Sequence, residues 1–247
     1  YDAELMAEIA ALLGKDNDVE GYRKLYARIC EAYAEEYTGS DGLLPQDTQG
    51  AYVCALWFDL IPDDRKKKAA NRLRELIEAN GGRLNTGFLA TPKLLEVLGQ
   101  HLGVKAAYDM LYQRGYPSWL YEIDRGATTI WEEWNAVRPN GKVGFMSFNH
   151  YAFGCVCEFM HQHIVGIRKL APGYEKILIQ PDMDSRITSA KGSYNSVYGV
   201  ISCDWKIENS KFIMDVTIPC GTSAVIVLPD GKEYETGSGS FRYEADL

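Results

Sequence analysis

The sequence predicts a mainly α protein with an all-β domain at its C-terminal end. Three observations carry that expectation. Apolar residues recur at helical spacing from Tyr1 to about Leu170, breaks rich in glycine and proline cut this stretch into helices, and beyond Ala171-Pro172-Gly173 the apolar period shortens to two. The chain is thus expected to divide into a helical domain over 1–170 and a sheet domain over 171–247, with no low-complexity linker between them.

Leu5, Met6, Ile9, Leu12 and Leu13 mark a first helix. After the short break Gly14-Lys15-Asp16-Asn17, a second carries Tyr22, Leu25, Tyr26, Ile29, Cys30 and Tyr33, and so short a break forces the two to lie antiparallel. Thr38-Gly39-Ser40-Asp41-Gly42 is a loop. Residues 48–60 and 62–79 form the next hairpin: Pro62 suits a first turn, where its missing N–H is no loss, and Gly81-Gly82 stops the second helix. In the third pair, Thr91-Pro92 supplies a cap and a first-turn proline for the helix bearing Leu94, Leu95, Val97 and Leu98. Its partner carries Ala106, Ala107, Met110 and Leu111. Asn149 is placed to cap a last helix with Ala152, Phe153, Val156, Phe159, Met160 and Ile164 on its apolar face. Repeated αα-hairpins of this kind close into a ring when enough are present.

In the second part Ile201, Cys203, Trp205 and Ile207 alternate with polar residues. Glu208-Asn209-Ser210 then turns the chain into Phe212, Met214, Val216 and Ile218, a β-hairpin. Ala224, Ile226 and Leu228 continue the alternation, Pro229-Asp230-Gly231 is a turn, and Phe241 with Tyr243 marks a final strand. The sum is a small antiparallel β-sandwich. The six cysteines lack the spacing of a zinc site or a disulfide scaffold and read as buried thiols, with Cys203–Cys220 the one pair to check for a bridge.

The composition, 46% hydrophobic and 24% charged, is that of a globular protein, and a net charge of −8 argues against nucleic acid or an anionic membrane as partner. No apolar run approaches the roughly 20 residues of a membrane helix. The lack of a charged-then-apolar leader favours a cytoplasmic location. A chain that starts at Tyr1 without methionine reads as a piece of something longer, however, which leaves secretion open.

Chemistry concentrates in residues 125–151, where Glu132 and Glu133 sit between Trp131 and Trp134 and His150 follows on the next element. Cleaving a glycosidic bond needs carboxylates, one to protonate the leaving oxygen and one to act on water or on the anomeric carbon. Tryptophans offer flat walls for a sugar ring, and Asn149 and His150 offer hydrogen bonds to its hydroxyls. The same letters admit a structural reading. Thr129-Ile130-Trp131-Glu132 fits a capping box, in which Thr129 caps a helix and Glu132 bonds back to its start.

The choice narrows when the motifs are taken together: Thr48-Gln49, Gly81-Gly82, Thr86-Gly87-Phe88-Leu89-Ala90-Thr91-Pro92, Tyr116-Pro117-Ser118-Trp119, the run Gly126-Ala127-Thr128-Thr129-Ile130-Trp131-Glu132-Glu133-Trp134, and Ser147-Phe148-Asn149-His150-Tyr151-Ala152-Phe153-Gly154. This set resembles the bacterial α-L-rhamnosidases of glycoside hydrolase family 78. The likeness runs from about residue 48 to the tail, where Ser196-Val197-Tyr198-Gly199 and Trp205 resemble the start of the family's C-terminal sheet domain. It implies a six-hairpin (α/α)6 barrel followed by a β-sandwich, and hydrolysis of terminal α-L-rhamnose with inversion, needing no cofactor and no metal. By the same resemblance Glu132 falls on the general base and His150 on a sugar contact. Trp131, Trp134 and Asn149 are further candidate substrate-binding residues. The two tryptophans lie three apart, so that one can face the pocket and the other the barrel core, and core packing is the expected role of each taken alone. Glu133 is assigned a solvated or structural role, and Trp119 is either wall or core.

The family's general acid lies upstream, in the first half of its barrel, and no matching acidic motif occurs between Tyr1 and Asp47. About three hairpins stand where six are expected. The chain therefore reads as the C-terminal part of a rhamnosidase, holding the base without the acid and inactive by itself. Half a barrel leaves a larger apolar face open than soluble monomers expose. Its expected partner, besides a carbohydrate ending in L-rhamnose, is the missing N-terminal half of the barrel in a parent chain, or a second copy by self-association. Two other functions remain: a related helical-barrel glycosidase acting on another sugar, or a non-catalytic fragment that binds glycans through Tyr194, Tyr198 or Trp205.

Overall fold

The computed structural model describes residues 1–247. It comprises two compact units, Tyr1–Phe153 and Gly154–Leu247.

The first unit is built from helix pairs, as the sequence predicts. α1 (Asp2–Leu12) packs on α2 (Asp16–Tyr37), α3 (Gln49–Trp57) on α4 (Asp63–Ala79), and α5 (Thr91–Leu102) on α6 (Val104–Leu111). Thr48 caps α3, its side-chain oxygen accepting from the Ala51 N–H at 3.2 Å. A single residue, Gly103 at φ +91°, joins α5 to α6, a backbone angle that any larger residue would resist. Thr91 is the first residue of α5 and not its cap; its hydroxyl donates back to the Gly87 carbonyl at 2.9 Å. Tyr52, Val53, Leu73, Leu94, Val97, Leu98 and Tyr108 form the interior. The buried Gln49 ties it to the following loop, donating to the Arg83 carbonyl (3.0 Å) and accepting from the Asn85 N–H (2.7 Å).

The first hairpin turns its apolar stripes away from the interior. α1 buries only its small residues, Ala3, Ala7 and Ala10, and α2 buries none. Met6, Ile9, Leu12, Leu13, Leu25 and Ile29, the stripes that predicted these helices, face outward. A short helix, α7 (Trp119–Asp124), follows, capped by Ser118, whose oxygen accepts from the Tyr121 N–H at 3.1 Å. The stretch from 125 to 151 then forms no helix and no strand beyond a single bridge, Val137 to Val143.

The last helix departs from the expected single element capped by Asn149. Ala152–Cys155 is a 3-10 turn, α8 (Val156–Phe159) is one α-turn, and Met160–Val165 is a π-turn that stops at Gly166. The wide final turn offers the Gln162 carbonyl to Arg168 Nε at 2.8 Å and brings His163 Nδ1 to 2.5 Å from Asp182 Oδ2, which also takes Arg168 Nη2 at 2.8 Å. Burial works against the Asp182 charge, but the bonds from His163 and Arg168 outweigh it and hold the carboxyl below its usual range.

The second unit is a sandwich of two four-stranded sheets. One has the order β1 (Ile167–Lys169), β2 (Lys176–Ile179), β6 (Ser223–Val227), β7 (Glu233–Thr236). The other has the order β3 (Ser189–Ser196), β4 (Gly199–Glu208), β5 (Lys211–Ile218), β8 (Gly239–Asp246). Every pairing is antiparallel except β2 with β6, a long-range contact that alternation in the sequence does not signal. The expected hairpin is β4–β5. Asn209 (φ 52°) and Ser210 (φ 60°) make its two-residue turn, and the register sets Cys203 against Val216 and Trp205 against Met214. Ile177, Ile179 and Ile226 from one sheet meet Ile201, Trp205, Phe212 and Met214 from the other, and Trp205 Nε1 donates to the Ile164 carbonyl at 2.8 Å.

On the outer face of the second sheet, Lys191, Asp204, Asp215 and Arg242 stand in one cross-strand row. The two facing carboxylates would repel, and each is flanked by a cation, Lys191 at 2.9 Å and Arg242 at 3.4 Å. All six cysteines are free. Only Cys203 is buried, while Cys157 and Cys220 are exposed, so neither the buried-thiol reading nor a Cys203–Cys220 bridge holds. Cys220 lies beyond the end of β5, after Pro219, off the ladder that Cys203 occupies.

Gly166 turns the chain from the π-turn into β1 at φ +90°, and a Cβ there would stand 2.4 Å from the Pro181 nitrogen. Gly166→Ala is expected to cost at least about 2 kcal/mol, since it adds a clash to the strain of a left-handed angle. Gly231→Ala, at φ +82° in open space, is expected to cost about half that or less. Thermal unfolding of the two variants side by side checks both.

Candidate active site

An irregular segment must still find partners for its backbone groups. Residues 129–132 and 147–150 solve this by lying against each other. The His150 N–H donates to the Ile130 carbonyl at 2.9 Å and the Glu132 N–H to the Ser147 carbonyl at 3.0 Å, while the Thr129 hydroxyl donates to the Phe148 carbonyl. The capping box is therefore not formed. Thr129 and Glu132 are both held by the opposite segment, because no helix begins there.

These bonds bring Glu132 and His150 onto neighbouring segments. Glu132 is partly exposed, and its Oε2 accepts from the Ser147 N–H at 2.9 Å. One carboxylate oxygen is thus fixed and Oε1 is left without a hydrogen-bond partner. His150 lies between two rings, stacked on Phe88 (centroids 5.0 Å apart) and on Tyr151 (5.1 Å). Its Nδ1 accepts from the Ala152 N–H at 3.3 Å, which leaves Nε2 as the donor nitrogen. Asn149 is exposed, its backbone N–H bonded to Ser147 Oγ at 3.1 Å, and Glu133 is exposed as well.

Trp131 and Trp134 are buried, 3% and 8% exposed. Trp134 stacks on Phe153 with centroids 3.9 Å apart and takes Trp119 edge-on at 5.3 Å, while Trp131 meets Phe148 edge-on at 5.4 Å. Trp119 is itself buried, its Nε1 donating to the Phe153 carbonyl at 2.8 Å. It is core.

α7 holds the glutamate segment from beneath at three points. Trp119 touches Trp134, the Tyr121 hydroxyl donates to the Val137 carbonyl at 3.0 Å, and Glu122 Oε2 accepts from the Trp131 N–H at 3.4 Å. Sequence reasoning missed Glu122 and Ser147. Glu122 had a signal, an acid set within the apolar run Trp119-Leu120-Tyr121 and Ile123. Ser147 acts through its backbone, which leaves no mark in residue type. Glu122 is 2% exposed, and its Oε1 has no partner at all. Burial pushes its carboxyl up from 4.5 to about 7, with the Trp131 N–H offsetting only part.

Comparison with known proteins adds a second line of observation. Residues 1–164 match the family model of the bacterial alpha-L-rhamnosidase six-hairpin glycosidase domain, and residues 166–241 that of the bacterial alpha-L-rhamnosidase C-terminal domain. An alpha-L-rhamnosidase of Streptomyces avermitilis is 39% identical over 98% of this chain, and one of Formosa agariphila 36% over 93%. The crystal structure of the Streptomyces avermitilis enzyme complexed with L-rhamnose superposes with a TM-score of 0.93 over 99% of the chain at 38% identity. That of native Aspergillus terreus α-L-rhamnosidase gives 0.92 over 98% at 31%. The chain spans only about a quarter of these relatives, 26% and 25% of the two sequences and 26% and 29% of the two structures.

The raised Glu122 carboxyl has a measurable consequence. The folded chain binds this proton more tightly than the unfolded one, so the group's stabilising contribution is full below about pH 4.5, drains as pH rises through about 7, and is flat above. Glu122→Gln removes that slope. Unfolding midpoints taken at about pH 5 and about pH 8 should fall less between the two for the variant than for the parent sequence.

Proposed function

The chain belongs to the bacterial α-L-rhamnosidase family, and from that premise we propose that it is the C-terminal part of an inverting glycoside hydrolase that releases terminal α-L-rhamnose, with Glu132 as the general base. The observation that carries this reading is the state of the Glu132 carboxylate: one oxygen is fixed by the Ser147 N–H and the other has no partner, and the segment paired with it carries a histidine with a free donor nitrogen.

Oε1 takes the proton from a water as that water attacks the anomeric carbon from the face opposite the leaving oxygen. The bond from the Ser147 N–H keeps the carboxylate from rotating away and steadies its charge before the proton arrives. His150 Nε2 and the Asn149 side chain offer hydrogen bonds to the sugar hydroxyls. Trp131 and Trp134 back the pocket wall from the interior and fix its shape. No cofactor or metal enters the scheme.

The acid that protonates the leaving oxygen comes from the N-terminal half of the barrel, outside these 247 residues. The same missing half covers the outward-facing apolar stripes of α1 and α2. The 247 residues alone are therefore inactive, and in isolation they self-associate through that face.

In the full-length protein, Glu132→Gln should lower kcat on an aryl α-L-rhamnoside by about 10²–10⁴-fold with KM nearly unchanged, since loss of a base acts on the transition state. Retention of most activity would remove Glu132 from the role. The 247-residue chain should show no hydrolysis above this variant; clear activity there would place the acid within it. Light scattering of the isolated chain should give a mass above the 27.7 kDa of a monomer, with binding of an apolar-surface dye, and a clean monomer that binds no dye would refute the open face.

A further inference from the structure

A carboxyl group sealed inside a protein with one oxygen unpaired is costly to keep, and an apolar side chain of similar size in its place is often neutral or stabilising. Glu122 is such a group. What distinguishes it is the single bond it makes. In the segment that carries Glu132, residues 130 and 132 turn their backbone groups to the 147–150 segment, while the Trp131 N–H between them points to the other side. No backbone carbonyl meets it there. The Glu122 side chain, reaching up from α7, takes the place a neighbouring strand would fill.

We propose that Glu122 is a positioning residue for the general base: by holding the Trp131 N–H it fixes the peptide from which Glu132 projects, and so the angle at which the Glu132 carboxylate meets the attacking water. The proposal rests on the reading of Glu132 as the base. The Ser147 N–H clamps the Glu132 side chain at its tip and Glu122 clamps its backbone at the root, so that the carboxylate is held at both ends. Neither clamp alone fixes both the position and the direction of Oε1. The geometry also separates reach from charge. An amide at position 122 keeps the acceptor at the same distance, whereas an aspartate keeps the carboxyl but ends one methylene short of the Trp131 N–H.

Three substitutions in the full-length protein, assayed on an aryl α-L-rhamnoside beside Glu132→Gln, test this. Glu122→Leu should lower kcat by about tenfold or more with KM within about twofold, as expected when a reacting group is misplaced by a fraction of an ångström. Its unfolding midpoint near pH 8 should not fall below that of the parent, a combination that a merely structural role would not give. Glu122→Gln should recover most of the lost kcat and Glu122→Asp should not. Should the leucine variant fail to fold, the Gln–Asp pair decides: Gln active and Asp impaired supports the proposal, and any other ordering overturns it. Leucine activity within twofold of the parent overturns it as well, as does a loss of kcat that only follows a lowered midpoint. If Glu132→Gln is itself active, the base assignment fails first and Glu122 has nothing to position; if Glu132→Gln is inactive and Glu122→Leu is not, only the present proposal falls.

Discussion

The arrangement depends on a backbone problem and its solution. A loop of more than two dozen residues crosses the first unit without helix or strand, and each of its N–H and C=O groups must be met as it goes. The pairing of 129–132 with 147–150 meets many of them, and in doing so brings the glutamate and the histidine of one loop into the same neighbourhood. The candidate site is a by-product of the loop's own hydrogen bonding. α7 supplies what that pairing lacks, anchoring the loop through an indole, a phenol and a carboxyl.

Helical spacing and strand alternation made the architecture legible in the sequence. The three helix pairs and the β4–β5 hairpin follow from short-range rules, where partners lie a few residues apart, whereas the caps expected at Thr91 and Asn149 do not form. Features decided at long range did not show. Parallel pairing of β2 with β6 depends on a crossover through the other sheet, and the π-turn on His163 and Arg168 meeting Asp182 from well up the chain. The Thr129–Glu132 pattern illustrates the hazard in detail: the letters of a cap are present, but both side chains find better partners across the loop.

The candidate site was legible mainly through resemblance. Spacing could nominate Glu132 and His150 but could not place them on paired segments, because seventeen residues of irregular chain separate them. Core packing was the expected role of Trp131 and Trp134 taken singly, and both do turn inward, although tryptophan suits a sugar wall as well. The apolar stripes of α1 and α2 are open, as expected of half a barrel. Their period correctly predicts helices, yet periodicity says which face is apolar and nothing about what covers it.

The charged row across β3, β4, β5 and β8 bears on how the protein can be handled. Strand edges are where sheets from different molecules join, and the outermost strands of this sheet carry Lys191 and Arg242, which discourage that union. Precipitation of the separate fragment would therefore start at the oily surface of the first two helices. A worker wishing to keep it in solution would do better to place charges at Ile9, Leu12 or Leu25 than to alter the sandwich, which is already guarded at these margins.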